Sequence, residues 1–170
     1  MRWAFEALYS TRAPRRFTDE PVSDEDLYPV IDAATRAPAG GNMQIWHFLV
    51  VRDVEKRRQI GDIYWEVWKE YGNQYVEDPA NIDKLPKQMR LVVRSTDDLA
   101  RNIGSVPVHL FICGPEQAGG TIYPAVQNAL LSCRAWDSAA WSRVSIAPIW
   151  IGWDRCWVFP KARPRMHCCR

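Results

Sequence analysis

The sequence predicts an α+β domain, a layered sheet flanked by helices, over the first 135 residues, followed by a carboxy-terminal portion of aberrant composition. Three observations carry this prediction. Two short runs of mostly bulky apolar residues, Trp46 to Val51 and Val106 to Cys113, have the length and composition of buried strands. Before, between and after them, apolar residues recur at helical spacing, which implies helices layered on a sheet. A length of 170 residues suits one domain and is too short for two independent cores, and no internal repeat is visible.

The elements follow in order. Residues 2–9 predict a short first helix, and Ser10 to Phe17 a basic loop punctuated by Pro14. Ser23 followed by Asp24, Glu25 and Asp26 is a helix-start signal, and Leu27, Val30, Ile31 and Ala34 extend a helix over 24–36. Pro29 falls inside it, where a straight helix would lose a backbone hydrogen bond at a cost of ~3 kcal/mol, so a kink or a later start is expected. Ala37 to Asn42 reads as a turn before the first strand. Asp53 can cap the next helix, in which Ile60, Ile63, Tyr64, Val67, Trp68 and Tyr71 keep one apolar stripe. Residues 72–95 are polar and interrupted by Pro79 and Pro86, which predicts a lid or excursion loop with some helix, and 97–103 a short helix. Val106 to Cys113 reads as a central strand covered on both faces. After Gly119 and Gly120, the positions Ile122, Ala125, Val126, Ala129, Leu130 and Cys133 trace a last helix face.

Composition narrows the function classes. No segment approaches the roughly eighteen apolar residues of a membrane span. Glu6 interrupts the only apolar stretch at the start and no small-residue cleavage site follows, so a signal peptide is not expected and a cytoplasmic location is favoured. Five irregularly spaced cysteines fit a reducing compartment better than a disulfide framework. A net charge of +2 with no basic stripe makes nucleic acid an unexpected partner. His47 and His109 sit in apolar strands with nothing adjacent to complete a metal set or a nucleophile–base pair, and read as core or interface residues. Gly119-Gly120 lacks the G-x-G-x-x-G spacing. The adjacent cysteines of His167-Cys168-Cys169 do not suit a closed tetrahedral site, so no metal centre is predicted. No side chain is singled out as catalytic.

Two segments could carry chemistry. Arg12, Arg15 and Arg16 place three guanidinium groups within five residues, where they repel unless an anion or solvent screens them, and the planar guanidinium fork suits a phosphate. Taken alone the loop reads as a solvated basic turn. In Pro38-Ala39-Gly40-Gly41-Asn42-Met43-Gln44-Ile45-Trp46, small residues leave room for a planar ligand to approach the backbone, and two amides can bond ring heteroatoms; alone it is an ordinary helix-to-strand turn.

In sequence, S-x-x-x-x-R-R-F-T-D-E-P-V followed by A-P-A-G-G-N-x-Q-x-W-H-F resembles the amino-terminal signature of the nitroreductase family, usually close to R-R-S-x-R-x-F and A-P-S-x-x-N-x-Q-P-W. The later G-G-T-I-Y-P-A-V-Q-N-A-L-L helix is similar to that family's long dimer-interface helix. The resemblance implies a nitroreductase-like FMN-binding domain over 1–135 and a homodimer with FMN at the subunit interface. NAD(P)H would serve as the electron donor and a nitro, quinone or other conjugated small molecule as the acceptor. By position, it implies phosphate and ribityl contacts at Arg12, Ala13 and Arg15, and ring contacts across the interface at Pro38, Ala39, Gly40 and Asn42. Ala13 stands where the family often has Ser, leaving only backbone contacts there, and Ile45 replaces the usual Pro.

Residues 136–170 break the pattern. They hold five of the nine tryptophans and three of the five cysteines, and contain no Leu, Glu, Thr, Tyr, Asn or Gln, whereas the preceding residues hold nine leucines. Family members continue the helix as R-A-L-G-L-G and add a strand and an arm that wraps the partner, none of which is legible here. Two origins stay open: a divergent tail whose tryptophans pack on the core, or a change of reading frame near Ala135. Writing Trp136 to Trp141 as TGG-GAC-TCG-GCG-GCC-TGG and shifting by one base gives Leu-Gly-Leu-Gly-Gly-Leu, the family's continuation. A flavin-free remnant without catalytic function is the alternative to an active enzyme.

Overall fold

The computed structural model describes residues 2–136, 144–152 and 155–157. Their order is α1 (Arg2–Ser10), α2 (Asp24–Thr35), β1 (His47–Val51), α3 (Val54–Glu77), α4 (Ala80–Asp83), α5 (Lys87–Asn102), β2 (Val108–Gly114), α6 (Gly119–Trp136), β3 (Val144–Gly152) and β4 (Arg155–Trp157), with short 3-10 turns at Gly40–Asn42, Ile103–Ser105 and Glu116–Ala118.

The sheet is mixed, in the order β1-β2-β3-β4. β1 runs antiparallel to β2, with His47 opposite Cys113 and Val51 opposite His109. β3 runs parallel to β2 after the α6 crossover, and β4 turns back antiparallel to β3. The tail sequence therefore supplies the strand beside β2, although no family strand was legible there. On one face of β2, Val108, Leu110 and Ile112 join Val30 and Ala34 of α2 and Ile122, Ala125 and Ala129 of α6 in the main core. Alternate residues of a strand point to opposite faces, which places His109, Phe111 and Cys113 on the other side.

Local chemistry sets the helix boundaries. Ser23 Oγ accepts from the Asp26 amide at 3.1 Å and an Asp26 carboxylate oxygen accepts from the Ser23 amide at 3.2 Å. This reciprocal cap fixes the start of α2 at Asp24, and the helix runs on through Pro29, so the later start does not occur. Asp53 caps α3 as predicted, accepting from the Lys56 amide at 2.9 Å. The stretch 72–95 holds more helix than expected: α3 continues to Glu77, α4 spans Ala80–Asp83, and α5 begins at Lys87, well before 97. Pro79 and Pro86 sit at the N-cap positions of α4 and α5, where a missing amide hydrogen costs little, so prolines that look like breakers mark starts.

β1 also departs from expectation. It is an edge strand of alternating exposure in which His47 and Leu49 face outward, while Trp46 precedes the strand and is buried. A run of apolar residues reports which side chains avoid water and not which of two faces this chain covers.

Two devices fasten the α3 side. Gly61 of α3 meets Gly104 backbone to backbone: a Cβ on Gly61 would lie 2.8 Å from Gly104 Cα. The Trp68 indole donates to Asp97 Oδ1 at 2.9 Å, Arg101 Nε donates to Asp97 Oδ2 at 2.8 Å, and the Arg101 guanidinium lies 4.5 Å from the centre of the Trp65 ring.

Candidate functional site

Arg12, Ala13 and Arg15 lie on the loop that leaves α1. Thr11 holds its start, with its amide donating to Ala7 O at 2.9 Å and its hydroxyl to the same oxygen. Arg12 Nη1 donates to Tyr9 O at 3.0 Å and Thr11 O at 2.9 Å, and Arg15 Nη1 to Ala13 O at 3.2 Å. Their neighbours are differently engaged: Arg16 pairs with Asp98 at 3.2 Å and Arg94 with Asp83 at 2.6 Å. Among the described residues the recorded hydrogen bonds of Arg12 and Arg15 go to carbonyl oxygens, which leave both cationic charges without a carboxylate. Arg15 also borders a cavity of about 740 Å³ with Ala13, Arg16 and Arg94, and with the carboxylates of Asp97 and Asp98. Of the two, Arg15 alone borders this space, and a guanidinium group without a carboxylate partner of its own fits an anion such as a phosphate monoester.

Pro38, Ala39, Gly40 and Asn42 lie in and before the 3-10 turn between α2 and β1. Gly41 (φ 59°) and Asn42 (φ 55°) both occupy left-handed space, where Gly is free and Asn is the side chain most often tolerated. The Asn42 amide donates to Ala39 O at 2.9 Å. The Gln44 side-chain amide reaches Asn42 Oδ1 at 3.5 Å. The Gly40 amide donates to Thr121 Oγ1 at 3.3 Å, which ties the turn to the amino-terminal end of α6. A Cβ on Gly40 or Gly120 would meet nothing within 4 Å, so the backbone there is open to a flat ligand. Sequence reasoning missed Thr121; its place just after the two helix-opening glycines was the available signal.

The two segments are anchored at opposite ends of α6. Arg134, near the far end of α6, donates from Nε to Ser10 Oγ at 2.9 Å and anchors the Arg12 loop there, whereas Thr121 anchors the Gly40 turn at the near end. Thirteen residues at 1.5 Å rise separate these anchors by about 20 Å along the helix.

The other candidates stay structural. His109 is almost fully buried, its Nε2 has no partner among the described residues, and burial reinforced by the Arg57 charge pushes its pKa down to about 4. His47 is on the exposed face of the edge strand and not in the core. Cys113 and Cys133 are both buried, and burial pushes the Cys133 thiol up to about 12, far from a reactive thiolate. No metal-binding cluster and no helix long and apolar enough to cross a membrane occurs among the described residues. His167, Cys168 and Cys169 lie outside the described residues.

This is a helix-flanked mixed-sheet α+β fold with a basic loop and a left-handed turn at opposite ends of its crossover helix. The sequence profile of the Nitroreductase family matches residues 8–140, and the chain belongs to that family. An Archaeoglobus fulgidus protein bearing the name NADH dehydrogenase/NAD(P)H nitroreductase is 38% identical over 64 residues, 38% of this chain and 37% of its own. The FMN reductase [NAD(P)H] of Bacillus subtilis is 33% identical over 63 residues, 37% of this chain and 25% of its own. The chain thus matches well under half the length of these relatives. Among solved structures, an FMN-dependent nitroreductase from Clostridium difficile superposes with a TM-score of 0.55 at 26% identity, over 78% of this chain and 56% of that one. An iodotyrosine deiodinase bound to FMN and 3-iodo-L-tyrosine reaches 0.59 at 20% identity, over 77% and 68%.

Proposed function

We propose that this chain is one subunit of a cytoplasmic, homodimeric, FMN-dependent oxidoreductase that moves electrons from NAD(P)H to a nitro, quinone or other conjugated small-molecule acceptor. Arg12, Ala13 and Arg15 of one subunit hold the flavin phosphate and ribityl chain. Pro38, Ala39, Gly40 and Asn42 of the other lie against its ring. Bound FMN supplies the redox chemistry, and the chain supplies charge and position.

The observation that carries this reading is the placement of the two motifs at opposite ends of α6, a spacing that suits contributions from two copies better than from one. Exposed apolar side chains support a covering partner: Phe5, Leu8 and Tyr9 on α1, and Met43 at the end of the Gly40 turn. Membership of the nitroreductase family and the FMN-linked names of its relatives support the cofactor. A second reading, a flavin-free remnant, is favoured by the composition of residues 136–170, which lacks the family's continuation.

Reconstitution separates the two. Protein incubated with excess FMN and desalted should keep the oxidised-flavin band near ~450 nm, a property of the cofactor, and bleach on NADH or NADPH addition. Protein that stays colourless while folded supports the remnant.

A further inference from the structure

The genetic code constrains what the tail after Ala135 would be in the adjacent reading frame, whichever codons are used. Every Trp and Cys codon begins with TG, and any base followed by TG encodes Leu, Met or Val. Read one base earlier, all eight Trp and Cys residues of the tail, at positions 136, 141, 150, 153, 156, 157, 168 and 169, become aliphatic or Met. Trp codons end in G, so Asp137, Asp154 and Val158, each following a Trp, all become Gly. Cys codons end in T or C, so Trp157 and Cys169, each following a Cys, become Leu. Ile codons begin with AT, so Ile146, Ile149 and Ile151 become Asn, His, Asp or Tyr.

The products have structural meaning. α6 buries Ile122, Ala125, Ala129 and Cys133, and the next position on that stripe is 136, where the adjacent frame places Leu, Met or Val. Gly then follows at 137, a residue suited to ending a helix. Further on, the adjacent frame has obligatory Leu, Met or Val at 150, 153, 156 and 157, with obligatory Gly at 154 and 158 and polar residues at 149 and 151. The present frame supplies no Leu anywhere after position 135.

We infer that the coding sequence runs one base out of register from Trp136 onward, and that the domain's own continuation is the segment rich in Leu, Met, Val and Gly encoded in the adjacent frame. In that frame β3 cannot remain as it stands. Ile146, which packs on the main core, becomes polar, and the position beside the fully buried β2 passes to another segment.

The nucleotide sequence tests this independently of any flavin. Downstream of codon 135, the adjacent frame should be open across the whole tail, and the third-position base bias of codons 1–135 should continue in that frame. A stop codon there, or a third-position bias that stays in the present frame, overturns the inference. The protein arm compares the 170-residue chain with one carrying a restored base at the Ala135–Trp136 junction. The restored chain should be better folded and retain at least tenfold more FMN after desalting. Equal thermal unfolding of both chains also overturns the inference, whereas a better-folded but colourless restored chain counts against the flavin reading alone.

Discussion

The Gly40 amide donates to Thr121 Oγ1 at 3.3 Å, and this contact fixes the ring-side turn to the opening of the crossover helix. Thr121 is buried, so Thr121→Val keeps the shape and removes the acceptor. A hydrogen bond of this kind is worth about 1 kcal/mol, so FMN should bind about fivefold more weakly while thermal unfolding shifts by only a few degrees. A fluorescence titration showing unchanged affinity would mean that the turn is held by other contacts.

Charge should decide the phosphate end. Arg12→Ala with Arg15→Ala removes the two guanidinium groups that lack a carboxylate, and hydrogen bonds to charged groups contribute about 1.5–3 kcal/mol each, so FMN affinity should fall by about a hundredfold or more. Arg16→Ala should change it little, because Arg16 is already paired with Asp98. A larger loss from Arg16 than from the double variant would relocate the phosphate.

The difference between these arginines marks what the sequence could and could not disclose. Its caps were legible because Ser23 and Asp53 act on amides three residues away, and β2 was legible because both of its faces are buried. The helices through 72–95 were hidden by Pro79 and Pro86, whose role depends on lying at a start and not in an interior. The motif residues could be named from their order along the chain. That Arg12 and Asn42 belong to different ends of α6 could not, since it follows from the Arg134–Ser10 and Gly40–Thr121 contacts across distant sequence.

His109 should make stability depend on pH. Its folded pKa of about 4 lies below the ordinary 6.5, so the unfolded chain binds the extra proton between those values. The stability tied to the neutral ring is therefore fully present above pH 6.5 and is lost as pH falls toward 4, by about 3 kcal/mol at most. In urea titrations at pH 7 and pH 4.5, His109→Leu should lose less stability on acidification than the native chain. Equal losses would show that His109 is protonated in the fold or plays no part.

Gly61 sets how closely α3 approaches the 103–105 turn. Gly61→Val places a branched side chain where even a Cβ would lie 2.8 Å from Gly104 Cα, and overpacking against backbone costs about 1–3 kcal/mol. The urea midpoint should fall accordingly, and a variant as stable as the native protein would show that the two elements can separate freely.

Complementation between two defective chains tests the shared site most directly. Chains carrying Arg12→Ala with Arg15→Ala, and chains carrying Asn42→Ala, are co-expressed with different tags, and the mixed dimer is isolated through both. If each flavin is held by the basic loop of one chain and the turn of the other, one site of the symmetric pair collects every defect and its mate is intact. The mixed dimer should then hold about half the flavin of the native dimer, while each variant alone holds little. A mixed dimer as empty as its parents would place both motifs of each site in a single chain and contradict the two-chain account.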